Sequence, residues 1–138
     1  MTPVEKKCAK AFQTITRWRQ KTCEMCPAPL SQFLPLEVHH ILGKLLQFRF
    51  EPRAAIVLCN ACHTYYQHAN FLLLRDMRRP MFFERHRAQA AWLKNNEHAP
   101  ILQRAWYDED EELARLEGML MRLKAGESRD QVRFGATP

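Results

Sequence analysis

The chain of 138 residues lacks a hydrophobic run of the roughly 18 residues that a membrane-spanning helix needs. Its first seven residues, Met-Thr-Pro-Val-Glu-Lys-Lys, lead into no apolar core of a secretory signal. Internal repeats and low-complexity tracts are also missing. We therefore expect a soluble, cytoplasmic protein with no membrane partner, built as one domain or as one core with appendages.

The chain has five cysteines, and their placement is informative. Four of the five cysteines form two Cys-x-x-Cys pairs, Cys23 with Cys26 and Cys59 with Cys62. In a cytoplasmic protein such pairs favour a metal over disulfides, and four thiolates complete a tetrahedral zinc site without an open position. The spacing predicts structural Zn²⁺, with a redox dithiol as the alternative. Cys8 falls on the apolar face of a helix, where a buried free thiol is expected.

The charges divide the chain into a basic body and an acidic end. The net charge is +6, but residues 1–107 hold 16 Lys and Arg against 7 Asp and Glu, which is +9, whereas residues 108–138 hold 5 against 8, which is −3. A basic body indicates a polyanionic partner. A solvated surface that is basic without such a partner is the alternative.

The hydrophobic pattern predicts an α+β fold with four segments. They are an amphipathic helix capped by Thr2 (residues 1–22), a zinc-stapled core (23–77), a basic helical extension (78–107) and an acidic leucine-striped helix with a tail (108–138).

Within the core, the β-branched runs at 36–42 and 55–58 predict two short strands, and the pattern from His63 to Met77 predicts a helix.

Four leucines of the acidic segment have the a/d spacing of a coiled-coil seam. They are Leu113, Leu116, Leu120 and Leu123. Two heptads fit three arrangements: packing on the chain's own surface, a homodimer seam or a contact with another protein.

Three histidines accompany the cysteines. His39 and His40 end the first predicted strand, so their side chains should point to opposite faces, and His63 directly follows Cys62. One imidazole can then bind a metal while the other meets a substrate atom, which is the division that metal-assisted phosphodiester hydrolysis requires. Two strand histidines that are merely hydrogen-bonded are the alternative.

The pattern Cys-x-x-Cys, Val-His-His-Ile and Leu-Cys-x-x-Cys-His, within about residues 20–75, resembles the HNH endonucleases of the His-Me finger (ββα-metal) superfamily. The resemblance implies a hairpin and a helix that hold one divalent cation (Mg²⁺, Mn²⁺ or Zn²⁺). By position, His39 and His63 match its ligands, and His40 matches the general base. His68 lies five residues beyond His63, and we expect it to support the site or bind phosphate.

The chain departs from this family at one position. The family's middle Asn precedes the second cysteine pair by five residues, and Ala54 stands there. Alanine can neither bridge the loop by hydrogen bonds nor touch a metal. Three explanations remain open: an engineered Asn→Ala change, natural loss of activity, or a different loop in which Asn60 or Asn70 does related work.

The expected function is that of a metal-dependent DNA endonuclease that nicks or cuts phosphodiester bonds, with inactivation at Ala54 left open. Its compact, zinc-stapled chain suits a phage or mobile-element gene acting in the bacterial host cytoplasm. Basic residues near the histidines and after the metal-bearing helix are expected to contact phosphates. They are Lys44, Arg49, Arg53, Arg78 and Arg79. The alternatives are a non-catalytic zinc-knuckle nucleic-acid binder and a protein-interaction module.

Overall fold

The structure is a computed structural model that describes residues 1–26, 35–42, 45–100, 102 and 106–135, with the backbone alone for 80–85. In these ranges six α-helices and two short 3-10 helices (Leu46–Phe48 and Pro52–Ala54) accompany one two-stranded antiparallel sheet, which confirms the α+β class. The helices are α1 (Pro3–Arg17), α2 (Asn60–Tyr66), α3 (Asn70–Met77), α4 (Pro80–Asn96), α5 (Glu109–Lys124) and α6 (Arg129–Phe134). The strands are β1 (Leu36–His40) and β2 (Ala55–Cys59). None of the described helices combines the length and hydrophobicity needed to cross a membrane.

Helix α1 begins and packs as the sequence predicts. The Thr2 side chain accepts a hydrogen bond from the Glu5 backbone N–H at 3.0 Å, which satisfies one of the donors left open at a helix start. The apolar stripe of Cys8, Phe12 and Ile15 is completely buried. It belongs to a core cluster shared with α5, so the first and fifth helices stabilise each other across the chain.

The leucine stripe of α5 contributes to that cluster. Leu116 and Leu123 are fully buried in it, and Leu113 and Leu120 pack at its edge. Of the three arrangements open from the sequence, packing on the chain's own surface is present. A role of these leucines toward a second copy or another protein stays a prediction.

The hairpin places the histidine pair opposite the start of β2. His39 lies opposite Ile56, and His40 lies opposite Ala55. All five residues of β2 are buried because apolar clusters cover both of its faces. A strand buried on both faces reads as a continuous apolar run, which is the pattern of Ala-Ile-Val-Leu-Cys.

The prediction of one continuous helix from His63 to Met77 is wrong, because the structure has two helices there. It is broken between Tyr66 and Asn70, and the Tyr66 hydroxyl donates to a carboxylate oxygen of Asp76 at 2.8 Å, which ties α2 to the end of α3. Helical periodicity continues through the break because both pieces bury one side in the same core. The turn is therefore set by tertiary contacts, which override local propensity.

Glu24, inside the first Cys-x-x-Cys pair, ties this turn to the rest of the fold. Its backbone N–H donates to the Val57 carbonyl at 2.9 Å, and its carboxylate accepts from the Val57 N–H at 2.7 Å. Arg129 of α6 pairs with the same carboxylate, and His86 of α4 donates to the Glu24 carbonyl at 2.7 Å. The cysteine turn, β2, α4 and α6 are thus joined at one buried residue.

We predict that Arg129→Met lowers the free energy of unfolding by about 3 kcal/mol, because it leaves the Glu24 carboxylate buried without its counter-ion. Urea unfolding with an unchanged m-value measures this. Arg122→Met is the control, since its ion pair with Glu127 is solvent-exposed and should matter little. Equal stability of the two variants would show that the buried pair does not hold the turn in place.

Candidate metal centre

The four cysteines meet at one point, as their spacing predicts. Their Sγ atoms all lie within 4.8 Å of one another, and Sγ of Cys26 is 3.5 Å from Sγ of Cys59. Sulfurs bound to zinc at about 2.3 Å are about 3.8 Å apart in a regular tetrahedron. The cluster can therefore hold a metal ion such as zinc with little adjustment.

Each cysteine pair is shaped by a hydrogen bond to its own first sulfur. The Cys26 N–H donates to Sγ of Cys23 at 3.4 Å, and the Cys62 N–H donates to Sγ of Cys59 at 3.5 Å. The second of these bonds also caps the start of α2. Both turns thus present their sulfurs in a fixed direction before any metal binds.

The thiols perturb one another in this cluster. Burial raises the pKa of Cys59, but hydrogen bonds from the Cys62 backbone and from neighbouring thiols outweigh it, and the net pKa is lowered. Burial and the shared protons raise the pKa of Cys62 above its ordinary value. Because four thiols share their protons here, binding a cation must release protons and will weaken at low pH.

His39 is buried beside this centre with a fixed ring orientation. Its Nε2 lies 2.9 Å from Oδ1 of Asn70, and the Asn70 amide nitrogen donates to the Ile41 carbonyl at 2.7 Å. The second bond identifies the amide oxygen as the atom that faces His39, so Nε2 must carry the proton. Burial lowers the pKa of His39 and outweighs the hydrogen bond to Asn70, which raises it. The neutral ring therefore keeps its lone pair on Nδ1.

His63 has a similar arrangement with a carboxylate. Its Nδ1 forms a short hydrogen bond with Glu37, which lies two residues before His39 and hence on the same face of β1. The lone pair is then on Nε2. The rings of His39 and His63 approach edge to face, with centroids 5.2 Å apart. Two imidazoles on one tetrahedral cation at about 2.1 Å have centroids about 5 Å apart.

His40 lies on the opposite face, as strand geometry predicts. Its ring stacks on Phe12 of α1, with centroids 5.0 Å apart and an interplanar angle of 27°, yet the residue remains exposed. Desolvation by its packed neighbours, followed by the nearby His63, lowers the pKa of His40. A neutral, accessible imidazole can accept a proton from water near neutral pH.

Ala54 is buried directly before β2, at the end of a short 3-10 turn (Pro52–Ala54). Its carbonyl accepts from the Ile41 N–H at 2.7 Å, which ties it to the end of β1. Asn70 from α3 bonds to the carbonyl of that same Ile41. The Asn70 amide and the Ala54 backbone thus meet at the same residue, Ile41.

Asn60, the other residue considered for this role, is exposed and accepts a hydrogen bond from Thr64 at 3.4 Å. Among the described residues, Asn60 makes no hydrogen bond to the histidines. Between the two candidates, the geometry favours Asn70.

The expected phosphate-binding side chains have partners within the protein. Arg49 pairs with Glu5 at 3.1 Å and Arg53 with Glu51 at 2.6 Å. The exposed Arg78 and Arg79 pair with Glu97 at 3.5 Å and Asp76 at 3.4 Å. His68 is exposed in the turn between α2 and α3, and Lys44 lies outside the described residues. Phosphate contacts by these residues stay predictions, and in the first two they would compete with ion pairs to buried carboxylates.

Glu37 is the residue of this site to which sequence reasoning assigned no role. Its signal was its position two residues before His39, which in a strand means the same face. In the part of the chain that the structure describes, the four cysteines are the only group of three or more possible ligands close enough to share one ion. His39 and His63 offer only two nitrogen atoms as possible ligands, and the other nitrogen of each ring is hydrogen-bonded.

Comparison with known proteins gives no family assignment. No protein-family model matches the chain, and no curated protein or solved structure matches it.

We predict that Cys26→Ser and Cys62→Ser each remove the bound metal and unfold the core, because the site joins the first turn to β2 and α2. Elemental analysis and circular dichroism of the purified variants measure both effects. Cys8→Ala is the control: this thiol is in another core cluster, so the metal content should stay at one ion per chain. Purified wild-type protein that is folded but free of metal would contradict the prediction.

Proposed function

We propose that this protein is a metal-dependent endonuclease that hydrolyses phosphodiester bonds in DNA, with a structural zinc at the four cysteines. The observation that carries the proposal is the pair His39 and His63. One ring nitrogen of each is hydrogen-bonded, to Asn70 and Glu37 respectively, so the other nitrogen of each ring is the possible metal ligand. Histidines that bind metals characteristically donate their other ring N–H to an oxygen in this way. The resemblance to HNH endonucleases supports the same reading.

A divalent cation at the two histidines would offset charge on the scissile phosphate and on the leaving oxygen. The donor atoms suit such a role, since Nδ1 of His39 and Nε2 of His63 are the nitrogens with unprotonated lone pairs. Two protein ligands leave positions for water and phosphate oxygens.

His40 is the proposed general base. It lies next to His39 in the chain but on the other face of the strand end, exposed and stacked on Phe12. The stack restricts the ring's orientation without covering it. A neutral imidazole held in this way can take the proton from an attacking water.

Asn70 is the proposed substitute for the amide that Ala54 lacks. It links α3 to the end of β1 and fixes the tautomer of His39 through two hydrogen bonds. In this proposal the absence of Asn at position 54 does not by itself abolish activity.

A non-catalytic nucleic-acid-binding protein is the second candidate, and Ala54 is the observation that favours it. Incubation of the zinc-loaded protein and supercoiled plasmid with Mg²⁺ or Mn²⁺ separates the two. Nicked circles that form only with the divalent ion support the endonuclease. Binding that shifts the plasmid on a gel but leaves it intact with both ions would favour the binder.

We predict that His40→Ala reduces the nicking rate by about 100-fold or more while zinc content and DNA affinity stay unchanged, because only proton transfer is removed. His39→Ala should instead weaken binding of the second cation. Single-turnover nicking and calorimetry of metal binding measure these effects. A His40→Ala protein that nicks as fast as wild type would show that another group, or solvent, takes the proton.

We predict that Asn70→Ala lowers the nicking rate by about 100-fold, since a shift of about 1 Å in a reacting group has this effect. Asn60→Ala is the matched control and should leave the rate unchanged, because Asn60 is exposed and its amide oxygen accepts from Thr64 on its own helix. The double variant Asn70→Ala with Ala54→Asn should recover part of the lost rate, because position 54 also bonds to Ile41 and is where the resembled family carries its Asn. Wild-type nicking by Asn70→Ala alone would contradict the assignment.

A further inference from the structure

The positive charge of the chain is concentrated at its beginning. Residues 1–21 contain six Lys and Arg and one acid, Glu5, so they carry +5 of the total +6. Residues 22–138 contain 15 basic and 14 acidic residues, which is +1. Glu5 is itself buried and paired with Arg49, so it does not offset charge on the outer face of α1.

Among the residues that the structure describes, these cations have no acidic partner. All six are exposed or half-exposed, and none has a described carboxylate oxygen within 4.0 Å. They are Lys6, Lys7, Lys10, Arg17, Arg19 and Lys21. By contrast, the arginines singled out from the sequence, such as Arg49 and Arg53, are engaged in ion pairs.

Lys6, Lys10 and Arg17 lie along one side of α1, because residues four and seven apart share a helix face. We call this side the α1 basic face. Lys6 and Arg17 are eleven residues apart, or about 16 Å along the helix axis at 1.5 Å per residue. Duplex DNA presents about one negative charge per 1.7 Å of its axis. The face is therefore long enough to meet several phosphates.

The α1 basic face is joined to the proposed catalytic residue through the same helix. Phe12 of α1 stacks on His40. One helix therefore holds both features, with the α1 basic face on the side turned away from Phe12.

The opposite side of α1 argues against a membrane as the partner. Amphipathic helices that bind bilayers insert their apolar face between the lipids. Here Cys8, Phe12 and Ile15 are completely buried in the core that α1 shares with α5. Only the charged side of the helix is available.

We propose that the α1 basic face is the principal DNA-binding surface of this protein and that it contacts the phosphodiester backbone. This inference rests on the proposed function in naming DNA as the partner. The main phosphate contacts would then come from the α1 basic face and not from the ion-paired Arg49 and Arg53.

The experiment compares two matched double variants. Lys6→Gln with Lys10→Gln removes two charges from the α1 basic face, and Lys94→Gln with Lys124→Gln removes two exposed charges from α4 and α5. Affinity for a 30-base-pair duplex is measured by fluorescence anisotropy without added divalent ions, at several salt concentrations. Zinc content and circular dichroism establish that each variant is folded.

We expect the α1 variant to bind about tenfold more weakly and its slope of log K against log salt to be smaller by about 2, since each phosphate contact contributes about 0.9. The α4–α5 control should bind as wild type does. Equal losses in both variants, or none in either, would overturn the proposal, as would tighter binding to phosphatidylserine vesicles than to the duplex. If wild-type protein does not nick DNA but the α1 variant binds more weakly as expected, only the catalytic proposal is refuted. If wild-type protein nicks DNA and the α1 variant binds with unchanged affinity, only the proposed binding surface is refuted.

Discussion

The rest of the site depends on the contact between two hydrogen-bonded cysteine turns. Cys26 and Cys59 are 33 residues apart in the chain, yet their Sγ atoms lie 3.5 Å apart. The first turn follows α1, and the second joins β2 to α2. Linking them fixes where α2 begins and therefore where His63 stands relative to the hairpin. In a chain of 138 residues the apolar core is small, so a metal at this point would stabilise both the fold and the site.

The cysteine cluster and the pair His39 and His63 differ in the donor atoms that they offer. The sulfurs form a closed set that offers no position for a substrate. Hydrogen bonds to Asn70 and Glu37 fix the rings of His39 and His63, so Nδ1 of His39 and Nε2 of His63 have set directions. Preorientation matters because reacting groups displaced by about 1 Å lose much of their effect. The two hydrogen bonds thus fix the tautomer and the orientation of each ring.

Much of this arrangement follows from local pattern. The capped helix α1, the two short strands, the opposite faces of His39 and His40 and the meeting of the four cysteines all depend on periodicities of 3.6 and 2 and on ligand spacing. The break between α2 and α3 could not be predicted in the same way. It depends on the Tyr66–Asp76 hydrogen bond, which joins residues on two separate helices.

The partners of single side chains were equally hidden from the sequence. Asn70 reaches the end of β1 only because the break in the helix turns it back, so its relation to Ala54 appears in three dimensions alone. Arg49 looked available for phosphate, but it pairs with Glu5 from α1. Charge counts give the sign of a surface, whereas the packing decides which charges remain for a partner.

The central claim is that His39 and His63 together hold a second cation beside the structural zinc. Long-range nitrogen–proton NMR of the histidine rings, during titration with a second equivalent of Zn²⁺, tests it most directly, because imidazole suits this diamagnetic ion. The account predicts protonated Nε2 in His39 and protonated Nδ1 in His63 before titration, followed by shifts of the opposite nitrogen in both rings. Unchanged ring signals, or shifts confined to exposed histidines such as His68 and His98, would contradict it.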